Sequence, residues 1–76
     1  MQPTTSKTPA HVQQPTALIR RKEVERLTAL SRSRIYALMA TGDFPSPVRL
    51  GVMSVAWPEI LVREWIADRI AERKTA

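Results

Sequence analysis

Bulky apolar residues are sparse before position 18 and recur at structured intervals after it. Residues 1–17 (MQPTTSKTPAHVQQPTA) hold three prolines, four threonines and three glutamines, with Val12 the only bulky aliphatic after Met1. So little apolar area cannot offset the entropy of ordering the segment, and a disordered N-terminal tail is expected there. From Leu18 onward the pattern predicts one small domain, 18–76. Leu18 and Ile19 form a short apolar lead-in. KEVERLT (22–28) then places Val24 and Leu27 at an i, i+3 spacing, the signature of a two-turn helix with one buried stripe.

After a tight connection at Ala29 and Leu30, Ser31 is a good N-cap, because its hydroxyl can accept from a free amide of the next turn. Ile35, Leu38 and Met39 supply the inward face of a second helix, and Gly42 is placed to end it in the left-handed conformation. Pro45 and Pro47 stiffen the following link, with Phe44 as its anchor. VRLGVMSVAW (48–57) alternates, Val48 and Leu50 on one face and Arg49 on the other, and Val55 and Trp57 repeat the alternation beyond a turn around Gly51. That is the pattern of a small β-hairpin. Pro58 suits the first residue of a third helix that runs to about Glu72 and buries Val62, Trp65 and Ile66. Trp57 and Trp65 are both expected in the core. The expected fold is therefore mostly α with a small β-hairpin: three helices arranged as a winged helix-turn-helix.

Charge adds one anomaly. The chain of 76 residues has a formal net charge of +5, and the excess is concentrated in residues 19–50, with seven cations against three acids. Residues 51–76 balance at four of each. The first and third helices obey the dipole rule, with Glu23, Glu25 and Glu59 in their opening turns. The second breaks it, opening on Arg32 and Arg34 where the helix end is already partly positive. An external anion at that end would meet free amides, the helix dipole and two guanidinium groups together. Concentrated cations of this kind point to a polyanion partner.

The surface of the second helix sharpens that expectation. At 100° per residue Ser33, Tyr36, Ala37 and Ala40 lie opposite Ile35 and Met39, with Arg34 on the flank. Small residues let such a face sit deep in the major groove, and hydroxyl and guanidinium groups near its N-terminus reach bases and phosphates. The plain alternative for this face is a solvated surface, and the charge distribution favours duplex DNA over it. The hairpin reads both as a wing that sets Arg49 on the DNA backbone and as a lid closing the core with Val48, Leu50, Val55 and Trp57. Tyr36 either reaches phosphate through its hydroxyl or packs against the wing.

Catalysis finds no support. His11 is the only histidine and stands alone in the tail, the carboxylates are scattered over helix surfaces, and Ser31 and Ser33 have no base near them in sequence. The chain has no cysteine, which excludes disulfides and thiolate metal sites and suits a cytoplasmic location. No apolar run reaches the ~20 residues that cross a bilayer, and the first residues lack the apolar core of an export signal. No metal, cofactor or small-molecule ligand is expected.

With these residues in view, 18–72 resemble the AlpA family of small phage and prophage DNA-binding regulators. The resemblance rests on LIRRKEVERLTALSRSRIYALM, on DFPSPVRLGVMSVAW and on REWIADR, and specifically on the combination of LSRS-x-IY, FP-x-PV-x-LG, SVAW and EWI. That family is similar in fold to excisionase and MerR-type winged helix-turn-helix domains. The resemblance implies a sequence-specific transcription regulator of a mobile element, with an excision factor that steers a recombinase as the close alternative. A basic module docking on an acidic protein is the alternative of another class.

Residue by residue, the resemblance implies DNA contacts at Ser31, Arg32, Ser33, Arg34 and Tyr36, supported from the wing by Arg49. Two positions depart from the family pattern. Ala29 stands where the turn commonly has glycine, which implies ordinary backbone angles there. Met53 stands where the wing tip usually carries Lys or Arg, leaving Ser54 as the polar group at the tip. Ile60 lies opposite Val62 and Trp65 on the third helix and Leu61 at the edge of its buried stripe, with Ala67 and Ala71 behind them. They form a candidate surface for self-association on DNA.

Overall fold

A computed structural model describes residues 17–73 of the chain, and the tail read from sequence lies, but for Ala17, outside the described residues. The elements are β1 (Leu18–Ile19), α1 (Arg21–Thr28), α2 (Arg32–Ala40), β2 (Val48–Gly51), β3 (Ser54–Pro58) and α3 (Glu59–Glu72). Three helices and a small sheet are thus present, as the apolar spacing predicts. The sheet has three strands, not two. They run antiparallel in the order β1-β3-β2, with Ile19 opposite Trp57 and Leu18 opposite Pro58. The lead-in before α1 is therefore the edge strand that covers the outer side of β3.

Each helix, the central strand and the link after α2 give one residue to the core cluster. Val24 of α1, Ile35 of α2, Phe44 of the link, Trp57 of β3 and Val62 of α3 pack into one cluster, bordered by Ile19, Leu27, Leu30, Leu38, Met39, Val55, Trp65 and Ile66. Trp57 is fully buried, whereas Trp65 lies at the edge of the core. The reason is polar. The Trp65 Nε1–H donates to the Asp43 carbonyl at 2.7 Å, so the indole edge must stay at the surface of the cluster. Trp57 Nε1–H donates to the Pro45 carbonyl at 3.0 Å. The two indoles thus hold the backbone on either side of Phe44, whose ring meets that of Trp65 edge-on at 5.0 Å.

Helix ends explain the two turns. Ser31 caps α2 as expected, its Oγ accepting from the Arg34 amide at 3.1 Å. At the other end Gly42 takes φ +80, its amide donates to the Met39 carbonyl and the Asp43 amide to the Leu38 carbonyl. That pair of bonds is the Schellman arrangement, which satisfies carbonyls the helix leaves free. The end of α1 departs from expectation. Ala29 does not have ordinary angles: it sits at φ 63, ψ 19, and its amide donates to the Glu25 carbonyl at 2.8 Å. A three-residue turn that reverses into α2 needs a left-handed residue there, whatever its side chain.

The hairpin also differs from the sequence picture. Val48 and Leu50 do not close the core; both are exposed along with all of β2. Ala56 and Trp57 of the central strand are the buried pair. Because β3 lies between β1 and β2, the core needs only its side chains, and β2 is left as an outer edge. The reversal lies at Val52 and Met53, with Gly51 opposite Ser54, a register shift between Arg49 and Gly51, and Met53 at φ 58. Pro58 ends β3 and caps α3 instead of opening it: its φ of −60 fits both states, but its ψ of 122 is extended. The first helical amide, that of Glu59, donates to the Ala17 carbonyl at 2.7 Å, so one of the donors a helix start leaves free is met across the sheet.

Candidate nucleic-acid interface

The short α2 helix buries Ile35 alone, leaving Leu38 and Met39 half-covered, so most of its circumference faces outward. Ser31, Arg32, Ser33, Arg34, Tyr36, Ala37 and Ala40 are all exposed. The face derived from helical spacing is therefore a real surface. Its first turn carries no acid. Of the opening amides, that of Arg34 is taken by Ser31, so an arriving anion would find those of Arg32 and Ser33.

Tyr36 settles part of its own ambiguity. Its ring meets Trp57 edge-on, centroids 6.4 Å apart, and the Arg32 guanidinium carbon lies 5.8 Å from the ring centroid. The aromatic body is thus fixed against β3 while the side chain stays exposed. Cation–π contact at an exposed site contributes ~0.5–1 kcal/mol, enough to bias the Arg32 rotamer toward the helix surface. Because Trp57 is the neighbour, the outward face of α2 lies beside the sheet that carries the wing.

Charge pairing distinguishes the arginines of this face from those within α1 and α3. In α1, Arg21 bonds Glu25 at 2.7 Å and Arg26 bonds Glu23 at 2.6 Å. The Arg26 hydrogen bond, followed by its charge, holds the Glu23 carboxyl below the ordinary carboxylate range, and the same bond pushes the Arg26 guanidinium further up. In α3, Arg63 bonds Glu59 and Arg69 bonds Glu72. Among the described residues, Arg32, Arg34 and Arg49 make no ion pair. Each paired arginine is met by an acid three or four positions away on its own helix, a spacing that stabilises helices by a few tenths of a kcal/mol. α2 has no such acid to offer.

Arg49 is exposed on β2, opposite Val55 of β3. Ser54, read from sequence as the free polar group of the tip, is engaged: the Arg20 guanidinium donates to its Oγ at 3.1 Å. Arg20 was legible only as one more charge in a basic segment. Its approach to the hairpin depends on β1 pairing with β3, which no local pattern announces. Ile60 and Leu61 are each 42% exposed on α3, which packs on α1 and β3. They stand on an element separate from the α2 face.

Comparison with known proteins agrees with this architecture. Residues 17–70 match the family model described as prophage CP4-57 regulatory protein (AlpA). The chain is also 50% identical over 56 residues to a protein of Enterobacteria phage P4 named uncharacterized protein ORF88. That alignment takes in 74% of this chain and 64% of the phage protein, so the match spans less than two thirds of the relative.

Proposed function

The chain belongs to the AlpA family of prophage regulatory proteins, and from that premise we propose that it is a sequence-specific transcription regulator acting on double-stranded DNA. One observation carries the reading: the exposed face of α2 opens on two arginines without acidic partners, while the arginines of α1 and most of those on α3 are neutralised within their own helices. In this reading α2 is the recognition helix. Arg34 and Ser33 reach base edges, Ser31 and Arg32 hold a phosphate at the helix start, and Tyr36 adds a hydroxyl at the groove wall. Arg49 meets the backbone from the wing, and Arg20, bonded to Ser54 at the start of β3, adds a second cation to the hairpin.

The anion also resolves the misplaced charges. Two cations cost an isolated helix start a few tenths of a kcal/mol each. A phosphate placed against the Arg32 and Ser33 amides and the two guanidinium groups offsets that cost.

Salt titration tests the reading directly. Affinity for a random-sequence duplex should fall linearly in log–log terms, because each phosphate contact releases counterions. Arg34→Ala should weaken specific binding by ~1–3 kcal/mol if the guanidinium is bidentate to a base. If Arg34 holds only phosphate, the loss is instead uniform across sequences and the salt slope falls by about one. Wild-type affinity in both Arg32→Ala and Arg34→Ala would remove α2 from the interface. Mapping the protected DNA then decides whether the site is a promoter or a recombination site.

One such module reads only a few base pairs, so copies on neighbouring sites would gain from touching. We assign that contact to Ile60 and Leu61, the exposed apolar pair on α3.

A further inference from the structure

The hairpin β2–β3 ends in a feature that neither folding nor phosphate binding accounts for. Val52 is 89% exposed and Met53 94% exposed, the two most exposed large apolar residues described. Leu50 continues the patch toward the base of the hairpin at 50% exposure. Isolated exposed apolar residues are ordinary, but three within four positions at one protruding tip are a patch. Met53 moreover stands at φ 58, a conformation that glycine or asparagine adopts far more easily. The tip therefore carries a long apolar side chain at the position least suited to one.

The surroundings identify the occupant. The hairpin sequence VRLGVMSVAWP (48–58) contains no acid. Arg49 projects from the outer strand, and Arg20 is bonded to Ser54 beside the turn at 3.1 Å. An apolar tip framed by cations matches a polyanion with an apolar interior, which describes a base stack between phosphates. Pairing of the β2 edge with another strand is disfavoured by Arg49, since charged side chains blunt exposed edges.

Resting on the DNA-binding reading above, we propose that Val52 and Met53 form a wedge that enters the minor groove beside the α2 site and opens a base step, bending the duplex. Paired strands are about 4.8 Å apart between backbones, and the minor groove is only about 6 Å wide. The hairpin thus enters with its tip side chains leading, and the groove must widen to receive them. Apolar side chains make no hydrogen bonds to the acceptors on the groove floor. Their selectivity comes from how readily the step unstacks, which is greatest at pyrimidine–purine steps and least in A-tracts. The wing then selects sequence by deformability, while α2 selects it by base contacts.

The test uses the full chain and two synthetic duplexes of about 25 base pairs, one alternating T and A and one an A-tract of the same composition. Wild type is expected to bind the alternating duplex several-fold more tightly. Energy transfer between end labels should report a bend of about 20° or more on that duplex. Val52→Ser combined with Met53→Asn should abolish both the preference and the bend, while leaving the salt slope unchanged, since no cation is removed. Asn suits the left-handed position, and Met53→Leu, which keeps an apolar tip, should retain both signals. Equal binding of the two duplexes by wild type, or preference and bend surviving in the double variant, overturns the wedge and leaves DNA binding intact. Failure of wild type to bind either duplex sinks the wedge and the DNA-binding reading together. Loss of self-association in the double variant, with DNA preference and bend unchanged, would assign the tip to a protein contact instead.

Discussion

Ala29 holds a backbone conformation in which its own methyl group is unwelcome. At φ 63, ψ 19 a Cβ crowds the following carbonyl oxygen, a penalty of roughly 1–2 kcal/mol for a non-glycine residue. Glycine removes the penalty but gives back part of the gain through its freer unfolded chain. Ala29→Gly should therefore stabilise the domain by about 0.5–1 kcal/mol, read as a shift in urea midpoint at constant slope. An unchanged or lowered midpoint would mean that the turn is not left-handed. The residue also marks a limit of sequence reading. Alanine at that position suggested ordinary angles, yet the angles are imposed by the need to reverse the chain between α1 and α2. The residue types of the exposed α2 face were legible for the opposite reason. Ser33, Arg34 and Tyr36 are exposed simply because Ile35 must be buried, and helical geometry fixes the rest. Arg20 was not legible, because its partner Ser54 is 34 positions away.

At the scale of elements, α3 is docked through a clasp as much as through its stripe. Val62 supplies the buried contact, and Trp65 meets both the Phe44 ring and the Arg69 guanidinium, the latter 4.6 Å from its ring centroid, while its N–H holds the Asp43 carbonyl. Removing the whole side chain and exchanging the indole for a smaller ring without its N–H should therefore differ. Trp65→Ala is expected to cost ~3–5 kcal/mol, and Trp65→Phe about 1–2 kcal/mol, one hydrogen bond together with part of the ring packing. Urea unfolding of the two variants measures both, and near-normal stability of Trp65→Ala would show that α3 docks by another route. The same comparison explains which elements a sequence reveals. The three helices follow from periodic apolar spacing, Ser31 and Gly42. Strand β1 has two residues, too few to show a period, and exists because β3 offers it a partner. Once β1 covers one side of β3, the outer strand β2 is released from the core, and that consequence is equally invisible to local pattern.

The whole molecule keeps its unpaired α2 and wing cations apart from the exposed apolar pair of α3. The α2 face and wing carry unpaired cations, and α3 turns Ile60 and Leu61 outward. If copies meet there, wild type should bind a probe with two sites about 10 base pairs apart cooperatively. Ile60→Glu should abolish that cooperativity and leave one-site affinity unchanged. Cooperativity that survives the substitution would place the contact elsewhere. The pairing of Leu18 with Pro58 also has a kinetic meaning. These partners are 40 positions apart, so pairing them early closes a long loop, and we infer that the strand that opens the fold docks after α1, α2 and the hairpin have formed. The rim of the sheet is then absent from the rate-limiting ensemble. Ile19→Ala should speed unfolding while leaving the refolding rate nearly unchanged in stopped-flow measurements, and a slowed refolding arm would reverse the order. The first strand acts as a latch that sets how long the native state lasts, not how quickly it is reached.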